Sequence, residues 1–125
     1  SDLTVLCDAA LDARLDTVQA KWDPRSALGV VLAAAGYPDE VRTGDAIAGL
    51  ENAARRPGKI FHAGTRRMDD ACVTSGGRVL CAVGLGRRVS DAIRGAYGLV
   101  ECVQFEGMQF RRDIGSRAVA REQAS

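Results

Sequence analysis

The chain has 125 residues, 46% of them hydrophobic and 26% charged, the make-up of one soluble globular domain long enough to bury a core. A net charge of +1 removes the electrostatic basis for a general nucleic-acid or anionic-membrane role. No apolar run approaches the ~20 residues of a membrane span, and Ser1-Asp2 does not open a signal peptide.

Without an initiator Met the chain is expected to be processed or cut from something longer. All but two of its 17 basic residues are Arg, the exceptions being Lys21 and Lys59; a bias of this kind reflects genome composition more often than function. Cys7, Cys72, Cys81 and Cys102 lie in apolar surroundings without Cys-x-x-Cys spacing, and His62 is the only histidine. That pattern points away from zinc and toward buried, reduced thiols in a cytoplasmic protein.

Ser1 or Asp2 can cap a first helix running to about Ala13, with Leu3, Leu6, Cys7 and Ala10 facing inward. Thr17 to Trp22 alternates with period two, which predicts a strand with Val18, Ala20 and Trp22 on one face. Asp23-Pro24-Arg25 turns the chain into the apolar run Leu28–Ala35, a buried strand with helix as the rival reading. Gly36-Tyr37-Pro38-Asp39 ends it. Residues 40–58 read as loop with short pieces of structure, because glycines and charges interrupt every periodic run.

Lys59–Thr65 and Ala71–Thr74 read as strands joined by a turn at Arg66–Asp70. The pair Gly76-Gly77 then predicts a hairpin into a strand over Val79–Leu85, giving a three-stranded antiparallel meander. Because Val79–Leu85 is continuously apolar, it is expected to be covered on both faces. Val89, Ala92, Ile93, Ala96, Val100 and Val103 form a helical stripe. Gly95 and Gly98 each cost that helix roughly 1 kcal/mol, which close packing on the sheet would offset. Met108 and Phe110 alternate in a last short strand, and Asp113 can cap a terminal helix carrying Ala118 and Val119. The expected whole is one α+β domain over residues 1–125, an antiparallel sheet packed by helices.

Few residues carry chemistry. Arg55-Arg56, Arg66-Arg67 and Arg87-Arg88 fall in predicted turns, where solvated charge is the default. Arg111-Arg112 differs, because it joins a strand to a helix start where two guanidinium groups can bind a phosphate. Asp113 either competes there with an anion or orients one arginine while the other faces the ligand. Gly84-Leu85-Gly86 lacks the third glycine and the βαβ context of a dinucleotide loop, and no Gly-Lys-Ser/Thr is present, so the glycines read as structural turns. His62 reads as a packing or surface residue, and the acids are scattered without a nucleophile–base pair. No residue is assigned a catalytic or metal-binding role.

Several pieces nevertheless occur in a specific order: Leu28-Gly29-Val30-Val31-Leu32-Ala33 with Gly36-Tyr37-Pro38, then Thr43-Gly44-Asp45-x-Ile47-x-Gly49-Leu50 and Phe61-His62-Ala63-Gly64-Thr65. Thr74-Ser75-Gly76-Gly77-Arg78-Val79-Leu80 and Arg111-Arg112-Asp113-Ile114-Gly115-x-Arg117-Ala118 follow. This ordered set resembles the C-terminal domain of the phosphoribosylamine–glycine ligase (glycinamide ribonucleotide synthetase) family, in the ATP-grasp superfamily.

The resemblance implies an enzyme of de novo purine biosynthesis that joins glycine to phosphoribosylamine through glycyl phosphate, with ATP cleaved. ATP and Mg²⁺ would sit on the ATP-grasp portion, which is the implied partner of this domain. The chain alone is expected to hold neither and to be inactive. Arg111 and Arg112 become candidates for the ribose phosphate of the substrate, with Arg78, just past the Gly-Gly turn, as a further candidate. Arg88 and Asp91 stand where relatives tend to place Thr and Glu, so a capping box worth about 1 kcal/mol is expected to be missing before the long helix. The rival reading is a free-standing, non-catalytic α+β binding or assembly module. An uncovered apolar patch would favour the excised domain over that module.

Overall fold

The structure, a computed structural model, describes residues 1–124. Helix α1 spans Leu3–Leu11, and strand β1 spans Ser26–Ala33. The short helix α2 (Leu50–Ala54) precedes β2 (Lys59–His62), β3 (Thr65–Met68), β4 (Ala71–Thr74) and β5 (Arg78–Gly86). Helices α3 (Val89–Val100) and α4 (Ser116–Gln123) complete the chain. The α+β class and the antiparallel pairing are as expected, but the meander is not what forms.

Strand β5 lies at the centre of a three-stranded sheet of order β1-β5-β2, whereas β3 and β4 pair only with each other in a second, two-stranded sheet. The Gly76-Gly77 turn therefore carries the chain from one sheet into the other. Neither glycine has positive φ, so the paired-glycine hairpin argument does not apply. The constraint at Gly77 is space: a Cβ there would lie 2.4 Å from a ring carbon of Tyr37. Arg66-Arg67 belongs to β3, and the turn that follows is Asp69-Asp70, with Asp69 at φ 52°.

Helix α3 covers one face of the main sheet. Val30 and Leu32 of β1 and Leu80, Ala82 and Gly84 of β5 point into it and are buried. Contact is closest at Gly84, where a Cβ would meet the Ala92 carbonyl oxygen at 2.2 Å and the Ala96 nitrogen at 2.4 Å. Gly84 and Gly86 are thus strand residues under a helix rather than turn residues. Gly95 faces the Cα of Gly84 and is compensated as expected, but Gly98 has no neighbour that a side chain would meet. Helix α3 ends at Val100, and Val103 is buried beyond its end.

The expectation that β5 is covered on both faces fails. Val31, Cys81, Val83, Leu85 and Phe61 share the opposite face; Val31, Leu85 and Phe61 are 44%, 43% and 47% exposed. The core itself runs from Leu28 to Ile114.

Residues 1–25 lie outside that core. Asp2 caps α1 as predicted, its Oδ1 accepting from the Thr4 N–H at 2.9 Å, but the buried residue is Ala9 and not Leu3, Leu6, Cys7 or Ala10. Thr17–Trp22 is not a strand: a 3₁₀ turn at Leu15–Thr17 leads into irregular chain, and Trp22 is 82% exposed. Alternation without a partner strand has no ladder to join. Cys7 is exposed and the other three thiols are half-buried, so none is fully buried, and all four are free.

At the C-terminal end the predicted Met108–Phe110 strand is reduced to one antiparallel bridge, Gln109 with Ala33. Asp113 does not cap α4; Gly115, at φ 87°, occupies that position. The start of α3 keeps half of a capping box, since Asp91 Oδ2 accepts from the Arg88 N–H at 3.3 Å. Glu122 of α4 adds a cap from outside, its Oε1 accepting from the Val89 N–H at 2.9 Å.

Candidate phosphate-binding groove

The open face of the sheet holds a groove of about 450 Å³, lined among others by Val31, Tyr37, Arg78, Phe110, Arg111 and Ile114. A second recess of about 630 Å³ adjoins it and shares Val31, Tyr37 and Arg78. Two of the three arginines singled out from the sequence thus line one groove, although 33 positions separate Arg78 from Arg111. Arg78 is delivered by the first position of β5, directly after the turn packed under Tyr37. Arg111 is delivered by the loop between the Ala33–Gln109 bridge and the start of α4.

Arg111 is oriented by its neighbour Asp113. Its Nε and Nη2 donate to Asp113 Oδ1 and Oδ2 at 2.9 and 2.6 Å, a fork-to-carboxylate pair. This resolves the alternatives for Asp113 in favour of orienting one arginine. The Asp113 hydrogen bonds raise the Arg111 pKa, and the Arg111 guanidinium holds the Asp113 carboxyl below its ordinary value of 3.8. The pair therefore stays ionised until pH falls below the usual carboxylate range. Both side chains are exposed, so the pair sets direction more than it adds stability. The two Nη1 hydrogens are not used by it and remain able to donate to an anion.

Arg112 is placed differently. Its guanidinium lies over the Phe110 ring, 5.0 Å from the centroid, and it is not among the residues lining the groove. Sequence reasoning treated the two adjacent arginines alike; the loop turns them to different partners. It also missed Tyr97, whose hydroxyl donates to the Arg111 carbonyl at 2.7 Å and accepts from the Ile114 N–H at 3.3 Å. The only signal available was a tyrosine four residues after Ile93, on the edge of the helical stripe.

Two or three guanidinium groups against one carboxylate leave a surplus of positive charge, and the donor set suits a phosphate dianion. The groove supplies no nucleophile with a base. His62 lies outside both recesses, exposed at the end of β2, with Nδ1 3.0 Å from Thr65 Oγ1 and 3.9 Å from Cys72 Sγ. Among the described residues no three His, Cys, Asp or Glu side chains converge to hold a metal ion, and no buried side-chain nitrogen or oxygen lacks a partner. The space beside Gly84 and Gly86 is filled by α3, and that beside Gly77 by Tyr37. Without converging carboxylates, the described residues do not fit Mg²⁺. No helix among them is long and apolar enough to cross a membrane.

Residues 27–117 match the family described as phosphoribosylglycinamide synthetase, C domain. The chain is 53% identical over 123 residues to the phosphoribosylamine–glycine ligase of Vibrio vulnificus (strain CMCP6), covering 98% of this chain and 29% of that protein. It is 55% identical over 122 residues to the enzyme of that name from Pseudomonas syringae pv. tomato, covering 98% of this chain and 28% of the relative. The crystal structure of phosphoribosylamine–glycine ligase from Thermotoga maritima superposes with a TM-score of 0.70 at 41% identity, over 86% of this chain and 27% of that one. The chain therefore spans a little over a quarter of the length of these relatives. It belongs to the phosphoribosylglycinamide synthetase C-domain family.

Proposed function

We propose that these residues are the C-terminal part of an ATP-dependent phosphoribosylamine–glycine ligase, in which they form the edge that holds the ribose phosphate of phosphoribosylamine. The observation that carries this reading is the 53% identity, across 98% of the chain, to a ligase of that name. The groove supports it by setting Arg78 and Arg111 on one recess. In this reading both make the phosphate contacts, and Arg112 braces the loop through Phe110 and adds charge. ATP, Mg²⁺ and the formation of glycyl phosphate belong to the ATP-grasp portion of the same cytoplasmic enzyme, with glycine as the second substrate. No step of the chemistry is assigned to side chains of this domain; it binds and positions.

The uncovered sheet face favours this reading over a free-standing module. A strand apolar on both sides but covered on one is what a part of a larger enzyme presents when its neighbour is absent. Residues 1–25, with Leu11 and Trp22 exposed, act as an arm of the same single domain toward that neighbour.

The test is ADP formation. The full-length polypeptide carrying these residues is expected to release ADP only when glycine and phosphoribosylamine are both supplied, and the 125-residue chain to release none. Release by the short chain, or a full-length protein indifferent to phosphoribosylamine, would overturn the proposal.

A further inference from the structure

We infer that Tyr97 is the positioning residue that sets Arg111 for substrate phosphate; this rests on the reading of the groove given above. The loop that delivers Arg111 is bracketed by two main-chain groups, the Arg111 carbonyl and the Ile114 N–H. One phenol oxygen holds both, donating its proton to the first at 2.7 Å and accepting from the second at 3.3 Å. A phenol has one donor and two acceptor sites, so a single hydroxyl meets both demands.

The rest of the loop does not duplicate this clamp. The Arg111–Asp113 fork is internal to the loop and moves with it. The Ala33–Gln109 bridge fixes only the entry, and Gly115 begins α4 at the exit without a side-chain cap. Gly115 packs against Ile93 of α3 and Ile114 against the core, but these apolar contacts lie past Arg111. Between entry and exit the hydroxyl hydrogen-bonds the loop main chain to α3, the helix that close glycine packing locks onto the sheet. The Tyr97 ring packs at 6.4 Å and 52° against Phe110, over which the Arg112 guanidinium lies. Ring and hydroxyl therefore do separable things: the ring fills space beside Phe110, and the hydroxyl sets where Arg111 points.

Tyr97→Phe separates them in the full-length ligase, because it keeps the ring and deletes only the hydroxyl. The expected result is a rise of roughly three- to tenfold in KM for phosphoribosylamine, the factor that a hydrogen bond of ordinary worth supplies. Because the hydroxyl only positions a binding group, kcat should stay within about twofold, and KM for glycine and ATP should not move. Adding Tyr97→Phe to Arg111→Ala should then produce no further rise, since the clamp acts only through that arginine.

A variant with a lowered melting temperature and an unchanged KM for phosphoribosylamine would make Tyr97 merely structural and overturn the inference. So would an equal rise in KM for glycine. Arg111→Ala tells the two claims apart. If it raises KM while Tyr97→Phe does not, the clamp alone is wrong; if it leaves KM unchanged, the phosphate reading fails and takes the clamp with it.

Discussion

The two faces of the main sheet are built from similar residues and have opposite fates. On one, Val30, Leu32, Leu80, Ala82 and Gly84 are closed under α3, with glycine chosen where backbone meets backbone. On the other, Val31, Leu85 and Phe61 stand in the open, with Val83 half-buried between them, on the face whose groove receives Arg78 and Arg111. A side chain's apolarity says that it will be covered, not by what. The closed face stabilises the domain; the open face is the one to which we assign binding.

The contrast can be broken most severely at Gly84. Gly84→Val places a branched side chain where even a Cβ lies 2.2 Å from the Ala92 carbonyl oxygen, so α3 must leave the sheet. We expect no cooperative unfolding transition by far-UV circular dichroism in urea; a variant with native-like stability would refute the close approach. A matched pair sharpens the contrast. Leu80→Ala on the closed face should cost about 3 kcal/mol, as buried leucines do. Leu85→Ala on the open face should cost under about 1 kcal/mol in the 125-residue chain. Equal destabilisation in urea melts would mean that the two faces are not distinct.

The closed face was the legible one. The apolar run Leu28–Ala35 and the helical stripe from Val89 to Val103 report burial, and both elements are present with ends shifted by a few residues, β1 ending at Ala33 and α3 at Val100. What failed was pairing. β5 joins β1 across up to 60 positions, Ser26 to Gly86, and no local turn signal encodes such a pairing. The Gly-Gly pair suggested a hairpin by a rule about positive φ, when its constraint was the Tyr37 ring, visible only once the chain folds back.

The site was half legible for the same reason. Arginines beside a helix start carry an electrostatic argument in their residue types, so Arg111 could be named. Which of two adjacent arginines faces the groove depends on a turn, and that turn depends on a tyrosine hydroxyl from another element. Arg112 was indistinguishable from Arg111 until its position over Phe110 was seen. Tyr97 could not be found from the sequence, because its partners lie 14 and 17 residues away and are main-chain groups without identity.

The central claim is that the open face, through Arg78 and Arg111, holds the ribose phosphate. The most direct measurement is KM for phosphoribosylamine in the full-length ligase carrying both Arg78→Ala and Arg111→Ala. Removing two charge-assisted donors predicts a rise of at least roughly a hundredfold, with KM for ATP unchanged. A doubly substituted, folded enzyme with the parent's KM for phosphoribosylamine would contradict the account.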